Sequence, residues 1–245
     1  MRARVRRWFS ILGGGAVCLC FLCGVIACLV LDFRDTTLVG VYARSGQFHV
    51  VIDAGHGGFD GGAVSPYGTK ESDINLSIAL KLERELLTNG IAVTKTRSTK
   101  DSIASPLATN KKKSDMENRR KIIEKASPDL VVSIHLNSFS QAPTVHGAQT
   151  FFDRSSEIGR QYAEAIQDGL NESSFDIHRN AAVGDYFILN STPYPAVLVE
   201  CGFLSNPTDE KLLKTENYQK IIAQIIACAI INVSQYNVEN AEAKG

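Results

Sequence analysis

Cysteine is scarce wherever it could staple a fold. Of the six in the chain, Cys18, Cys20, Cys23 and Cys28 fall within the first 31 residues, and only Cys201 and Cys228 follow. At most one bridge is then available to the rest of the chain, so a disulfide framework is excluded and two small buried thiols are expected. Net charge is absent as well, with 26 basic and 26 acidic side chains. The balance is uneven along the chain. Residues 1–31 hold Arg2, Arg4, Arg6 and Arg7 and no acid, so the remainder is mildly acidic. That gives no footing for nucleic acid, and no nucleic-acid partner is expected. Internal repeats are missing. The glycine-rich loop after Asp53 matches neither the dinucleotide fingerprint nor the Gly-Lys-Ser/Thr loop, and no helix follows it at once, so a phosphate cradle is excluded.

Charge is also missing from Trp8 to Leu31. A helix of that length reaches about 36 Å, enough to cross a bilayer core. Arginines before it, against Asp32, Arg34 and Asp35 after it, predict a cytoplasmic N-terminus and export of the bulk of the chain. Residues 1–31 therefore read as a signal anchor or a signal peptide, although no small-x-small cleavage site stands before Asp32. Val25-Ile26-Ala27-Cys28 offers a third reading, a lipoprotein processing site with Cys28 as the lipidated residue. Membrane contact is expected through this segment, and localisation outside the cytoplasm, either anchored or secreted. Residues 32–47 read as a linker.

What is present, at 44% hydrophobic content, suffices for one well-buried domain over residues 48–236, with 237–245 as a tail. Elements alternate along it. Phe48–Asp53 is an apolar strand. Ile74, Ile78, Leu82 and Leu86 trace one face of a helix that closes at Asn89-Gly90. Ile91–Thr96 alternates as a strand, and Ser98–Lys113 is a polar loop ending in three lysines, a solvated loop or a contact for an anionic polymer. Further expectations are a helix over Asp115–Ala126, strands over Leu130–Leu136 and Gly147–Phe152, and a helix over Ser155–Leu170. Short strands at Tyr186–Leu189 and Ala196–Val199 precede a last helix over Tyr218–Tyr236. The pattern predicts a single three-layer α/β domain with a mostly parallel sheet flanked by helices.

The chemistry gathers at strand ends. His56 lies just past the first strand, His135 ends Leu130–His135, and Glu200 ends Ala196–Glu200. If the strands are parallel, all three reach one edge of the sheet. Helix N-termini reach it too, bringing Glu71, and open α/β sheets keep their binding sites there. Polar residues ending apolar strands are costly to bury without partners. Two imidazoles and a carboxylate suit zinc with an open fourth position, and a second carboxylate suits proton transfer. The gaps of 15, 64 and 65 residues follow no local ligand rule. A histidine near a strand end is equally the mark of a hydrogen-bonded core residue. Asp53 and Asp60 are expected to cap turns in the glycine loop, and Asn137 either orients a ligand or ends its strand. His49, His146 and His178 have no partner pattern and read as surface or packing residues.

Taken together, four ordered motifs resemble the zinc-dependent N-acetylmuramoyl-L-alanine amidases of the bacterial cell wall. They are Asp53-Ala54-Gly55-His56-Gly57-Gly58, Lys70-Glu71 with Asn75, Ser133-Ile134-His135-Leu136-Asn137, and Val199-Glu200-Cys201-Gly202-Phe203-Leu204-Ser205-Asn206. The resemblance runs from about Phe48 to Gln235. It implies that His56, Glu71 and His135 bind Zn2+, that Glu200 is the catalytic carboxylate, and that peptidoglycan is the substrate, cut by a monomeric catalytic domain. Arg119 stands where the family keeps an arginine, but Ile123-Glu124 replaces the common Ala-Asn. The basic residue often seen ahead of Phe187 is missing from the stretch ending at Asp185. Some relatives carry an inhibitory insert between the second His and the Glu; here ordinary elements fill the interval, and an open site is expected. Two other readings stay open on the residues alone: a zinc peptidase acting on the stem peptide, and a non-catalytic wall-binding protein.

Overall fold

The structure, a computed structural model, describes residues 47–173 and 177–242, with side chains as far as Asn237. All described residues belong to one compact unit, which begins at Gly46. Among them no helix is long and apolar enough to cross a membrane. The uncharged segment Trp8–Leu31 and the lipoprotein-like Cys28 lie outside the described residues, as does most of the linker.

Six strands form one sheet: β1 (His49–Ala54), β2 (Ala92–Lys95), β3 (Leu130–Asn137), β4 (Gln149–Phe152), β5 (Ala182–Val183) and β6 (Ala196–Phe203). Among the described residues six helices accompany them: α1 (Glu71–Thr88), α2 (Lys111–Ala126), α3 (Glu157–Ser173), α4 (Phe187–Asn190), α5 (Pro207–Leu213) and α6 (Glu216–Glu242). The strand order is β2-β1-β3-β6-β4-β5. β2, β1, β3 and β6 run parallel, whereas β4 pairs antiparallel with β6 and carries β5 parallel to itself. The sheet is therefore mixed: four of its five pairings are parallel, as expected, and the β4–β6 pairing is antiparallel. The reason lies in the connections. A parallel neighbour needs a crossover element, and no helix separates β3 from β4.

Alternation along the strands builds two unequal faces. Val50, Ile52, Leu130, Val132, Ile134, Val197, Val199 and Cys201 point into the larger core, beneath α1, α3 and α6. Helix α1 reaches it through Ile74, Ile78, Leu82 and Leu86, spaced one turn apart. Side chains buried to this degree contribute about 1.5–3 kcal/mol each relative to exposure. On the other face Val51, Val131, Ala196 and Leu198 meet Ile123 of α2 and Ile188 and Leu189 of α4, with partly buried Ala126, Phe151, Tyr186 and Tyr194 around them. This thin side leaves room for polar groups.

Several sequence expectations shift. Tyr186–Leu189 is not a strand: Phe187–Asn190 forms a single helical turn. Ile188 and Leu189 are adjacent and both buried, which a strand lying on a surface cannot provide. Helix α2 starts at Lys111, four residues earlier than its apolar pattern suggests, because Asn110 Oδ1 accepts from Lys113 N at 2.9 Å and caps it. Helix α6 runs to Glu242, past the start of the expected tail. Of the two thiols expected to be buried, Cys201 is and Cys228 is exposed.

Candidate functional site

His56 stands two residues beyond β1, in a left-handed backbone conformation with φ 61°. Such a conformation is uncommon for a residue with a side chain and is held here from several directions. Arg119, buried on α2, donates through Nη2 to His56 O at 2.6 Å and through Nη1 to Ala54 O at 2.8 Å. Arg97, also buried, donates to Ala54 O, Gly55 O, Ser72 O and Thr99 O at 2.8–2.9 Å. The loop carbonyls that a sharp turn leaves unpaired are thus satisfied by two guanidinium groups. Glycine is required at two positions by close approach. A Cβ on Gly55 would lie 2.3 Å from the His135 ring, and one on Gly62, at φ 67°, would lie 2.5 Å from Glu71 Oε2.

Helix α1 opens directly on Glu71 and has no side-chain cap. Instead, Glu71 N and Ser72 N donate to Ala63 O and Gly61 O at 2.9 and 3.1 Å, docking the helix end onto the glycine loop. The carboxylate turns back into the cleft, near the positive end of the helix. Its Oε2 accepts from Ala63 N at 2.8 Å, and its Oε1 accepts from Leu136 N at 3.1 Å and Asn75 Nδ2 at 3.2 Å. Asn75, one turn along α1, also donates to Gly55 O at 3.2 Å.

The two imidazoles converge on that carboxylate. His135 Nδ1 lies 2.9 Å from Glu71 Oε1, and His56 Nε2 lies 3.2 Å from it. The rings are 5.0 Å apart and nearly perpendicular. One donor atom from each of His56, Glu71 and His135 lies within 4.8 Å of the others. Ligand atoms around a tetrahedral zinc stand roughly 3.3 Å apart, so the spacing suits such an ion. Asp60 fixes the outer nitrogen: His56 Nδ1 is 3.0 Å from Asp60 Oδ2, leaving Nε2 turned inward. Burial opposes charge on Glu71, but His135 and His56 outweigh it and hold the carboxyl well below the usual carboxylate range. Burial likewise opposes the charged form of His56, and Glu71 with Asp60 outweighs it and raises its pKa.

Glu200 is placed by register. His135 and Glu200 are direct partners across β3 and β6, so both side chains project from the thin face at the same height. Just beyond, the pairing slips between His135 and Asn137. Glu200 is 7% exposed, and its Oε2 has no hydrogen-bond partner. Burial pushes its pKa up to about 7; Glu71 adds to the push and the two histidines oppose it. The result is one carboxylate held ionised among imidazoles beside another poised near neutrality. Both line an open cleft of about 330 Å³ that also takes in Tyr186, Phe187 and Lys112.

All four residues singled out from sequence therefore meet at one edge of the sheet. Asp60 caps its turn as expected, accepting from Gly62 N at 3.1 Å. Asp53 does not. It is buried on β1, where Oδ1 accepts from Thr96 Oγ1 and Arg119 Nη1 and Oδ2 from Ser133 Oγ, at 2.6–2.7 Å. Asn137 ends its strand, taking Ser138 N on its side chain and Leu204 N on its carbonyl, both at 2.8 Å. His49 pairs with Thr94, His146 with Thr144 O, and His178 is exposed, all away from the cleft. Arg97 went unnoticed in the sequence. Its signal is an arginine two residues past a parallel strand, the position His56 holds on β1.

Comparison with known proteins identifies the family. The family model described as N-acetylmuramoyl-L-alanine amidase matches residues 50–232. The germination-specific N-acetylmuramoyl-L-alanine amidase of Bacillus subtilis is 33% identical over 189 residues, covering 74% of this chain and 78% of that one. The probable cell wall amidase LytH of Staphylococcus aureus is 31% identical over 179 residues, 72% of this chain and 55% of its own. Among solved structures, the CwlD amidase of Clostridioides difficile, in complex with the GerS lipoprotein, superposes with a TM-score of 0.74 at 34% identity, over 78% of this chain and all of that one. The catalytic domain of CwlV from Bacillus (Paenibacillus) polymyxa gives 0.67 at 31% identity, over 77% and 99%. With three quarters of its length matched, this chain belongs to the N-acetylmuramoyl-L-alanine amidases, enzymes that hydrolyse the amide between N-acetylmuramic acid and L-alanine in peptidoglycan.

Proposed function

We propose that His56, Glu71 and His135 hold a zinc ion in this amidase and that Glu200 is its acid–base residue. The observation that carries the reading is Glu200 Oε2, buried and without a partner, on the strand position directly opposite His135. A buried acceptor left unpaired in the protein is costly unless a ligand or water completes it. Bound at the triad, zinc would polarise the scissile carbonyl and acidify water.

The rest is done by the chain. Asp60 keeps His56 Nε2 facing inward, and Asn75 and Leu136 N hold Glu71 in place. Glu200 takes a proton from the attacking water as the new C–O bond forms at the lactyl carbonyl. It then passes that proton to the nitrogen of L-alanine as the C–N bond breaks, so the acid stays with the glycan and the amine leaves with the peptide. A buried carboxyl, whose charged form burial disfavours, suits both halves of that exchange.

The site works outside the cytoplasm on this reading, with residues 1–31 as signal anchor or signal peptide, 32–47 as linker and 48–236 as a monomeric zinc amidase domain. The names of the relatives, a germination-specific and a cell wall amidase, fit such a location.

Metal analysis paired with turnover tests the assignment. Wild-type protein should carry one zinc per chain, and Glu200→Gln should keep it while losing ~10²-fold or more in turnover. His135→Ala should lose both. A Glu200→Gln protein with near-normal activity places the base elsewhere, and an active preparation without metal ends the zinc reading.

A further inference from the structure

The cleft differs at its two ends. Asp60, Glu71, Asp115 and Glu200 line it together with His56, His135 and Arg119. Towards β4 and β6 the wall is apolar and uncharged: the Tyr186 ring packs edge-on against Phe151 at 5.2 Å, and Phe187 beside it is 43% exposed. Towards β1 the cleft meets the first turn of α2. Two cations line it among the described residues, and Arg119 is buried against Asp53, Asp115 and the loop carbonyls. Lys112 is the other. Its side chain is 71% exposed, and Nζ lies 3.7 Å from Asp60 Oδ2, too far for a tight hydrogen bond. That same oxygen is 3.0 Å from His56 Nδ1, so the ammonium lies within about 7 Å of the imidazole.

The placement is unfavourable for the helix. Lys111, Lys112 and Lys113 are all exposed in the first turn of α2, and no acid accompanies them. Three cations at a helix N-terminus oppose its dipole. Nothing in the packing of α2 requires them.

The substrate has a matching asymmetry. On one side of the scissile amide stand a lactyl ether and a glycan without charge at that point. On the other runs a peptide whose second residue, when it is glutamate linked through its side chain, keeps a free backbone carboxylate. At about 3.5 Å per residue that group lies roughly 7 Å beyond the scissile bond. A cation at the β1 end of the cleft suits such a group.

We propose that Lys112 is a specificity residue: it pairs with the free carboxylate next after L-alanine, so the peptide runs towards α2 and the glycan lies along the Tyr186–Ile188 wall. This rests on the assignment of the reacting centre to the cleft edge at Glu200. The pair is exposed, so the effect is small and sensitive to salt.

The test uses two muramoyl tripeptides that differ only in the second residue, D-glutamate or D-isoglutamine. Turnover is measured with the full chain, and binding with its Glu200→Gln form. Wild type should prefer the acid roughly two- to fivefold, in KM rather than kcat, and the preference should shrink in high salt. Lys112→Arg should retain it, Lys112→Ala abolish it and Lys112→Glu invert it. Equal use of the two tripeptides by wild type, or the same preference in all variants, overturns the proposal. If wild type cleaves neither, the placing of the reacting centre has failed. The binding preference then decides for Lys112 separately: inverted in Lys112→Glu it supports the pairing, unchanged it rejects it.

Discussion

The two faces of the sheet do different work with the same strands. Ile134 and His135 are neighbours in β3, yet Ile134 is fully buried in the larger core while His135 reaches the cleft. Val199 and Glu200 divide in the same way on β6. The deep face is almost wholly aliphatic. On the thin face a short apolar patch gives way, towards the strand ends, to Asp53, Ser133, His135 and Glu200. Because the period is two, stability and chemistry occupy alternate positions, and a slip of one residue would exchange them. The site thus borrows rigidity from a core it does not share.

The hardest way to break this division is to remove the group that bridges the polar face to the loop. Arg119 joins Asp53 on β1, Asp115 on α2 and the carbonyls of Ala54 and His56. Arg119→Ala leaves two buried carboxylates unpaired, and chemical denaturation should show a loss of about 3–5 kcal/mol. Arg119→Lys should recover little, since a lysine cannot span the same forked set of acceptors. Near-wild-type stability in Arg119→Ala would mean that the polar face adds nothing to the fold.

A substitution confined to the deep face should separate the two roles. Ile134→Ala removes a fully buried side chain next to His135 but facing away from it. We expect a loss of about 3 kcal/mol in stability, with metal content and turnover of the folded protein close to wild type. Metal affinity that falls together with stability would show that the faces are coupled.

The smallest expected effect is acid sensitivity of the polar face. Burial works against the charge on Asp53, but Arg119, Ser133 and Thr96 outweigh it and hold its pKa at about 2, against 3.8 for the free group. The folded value is the lower one, so the stabilisation is complete above about pH 3.8 and fades as pH falls towards 2. It amounts to on the order of 2 kcal/mol. Asp53→Asn should flatten that part of a stability-against-pH curve; an unchanged slope would assign it to other carboxylates.

What the sequence alone determined is local. Apolar runs closed by His135 and Glu200, the glycine turn at His56 and the helix mouth at Glu71 could be read because strand period and turn chemistry depend on neighbouring residues. The amidase motifs then suggested the roles proposed for them. Tertiary structure decided the rest. Only strand pairing sets His135 opposite Glu200, because register is a matter of hydrogen bonds between segments distant in the chain. The same holds for β4, turned antiparallel by a connection with no helix in it, and for Phe187–Asn190, where four residues carry too little pattern to separate a turn of helix from a strand. Arg97 and Arg119 act on backbone carbonyls, which leave no trace in the side-chain pattern, and Lys112 gains its meaning from a capped helix end that brings it to Asp60. Sequence fixes which groups a segment can offer; contacts across the fold decide what each of them faces.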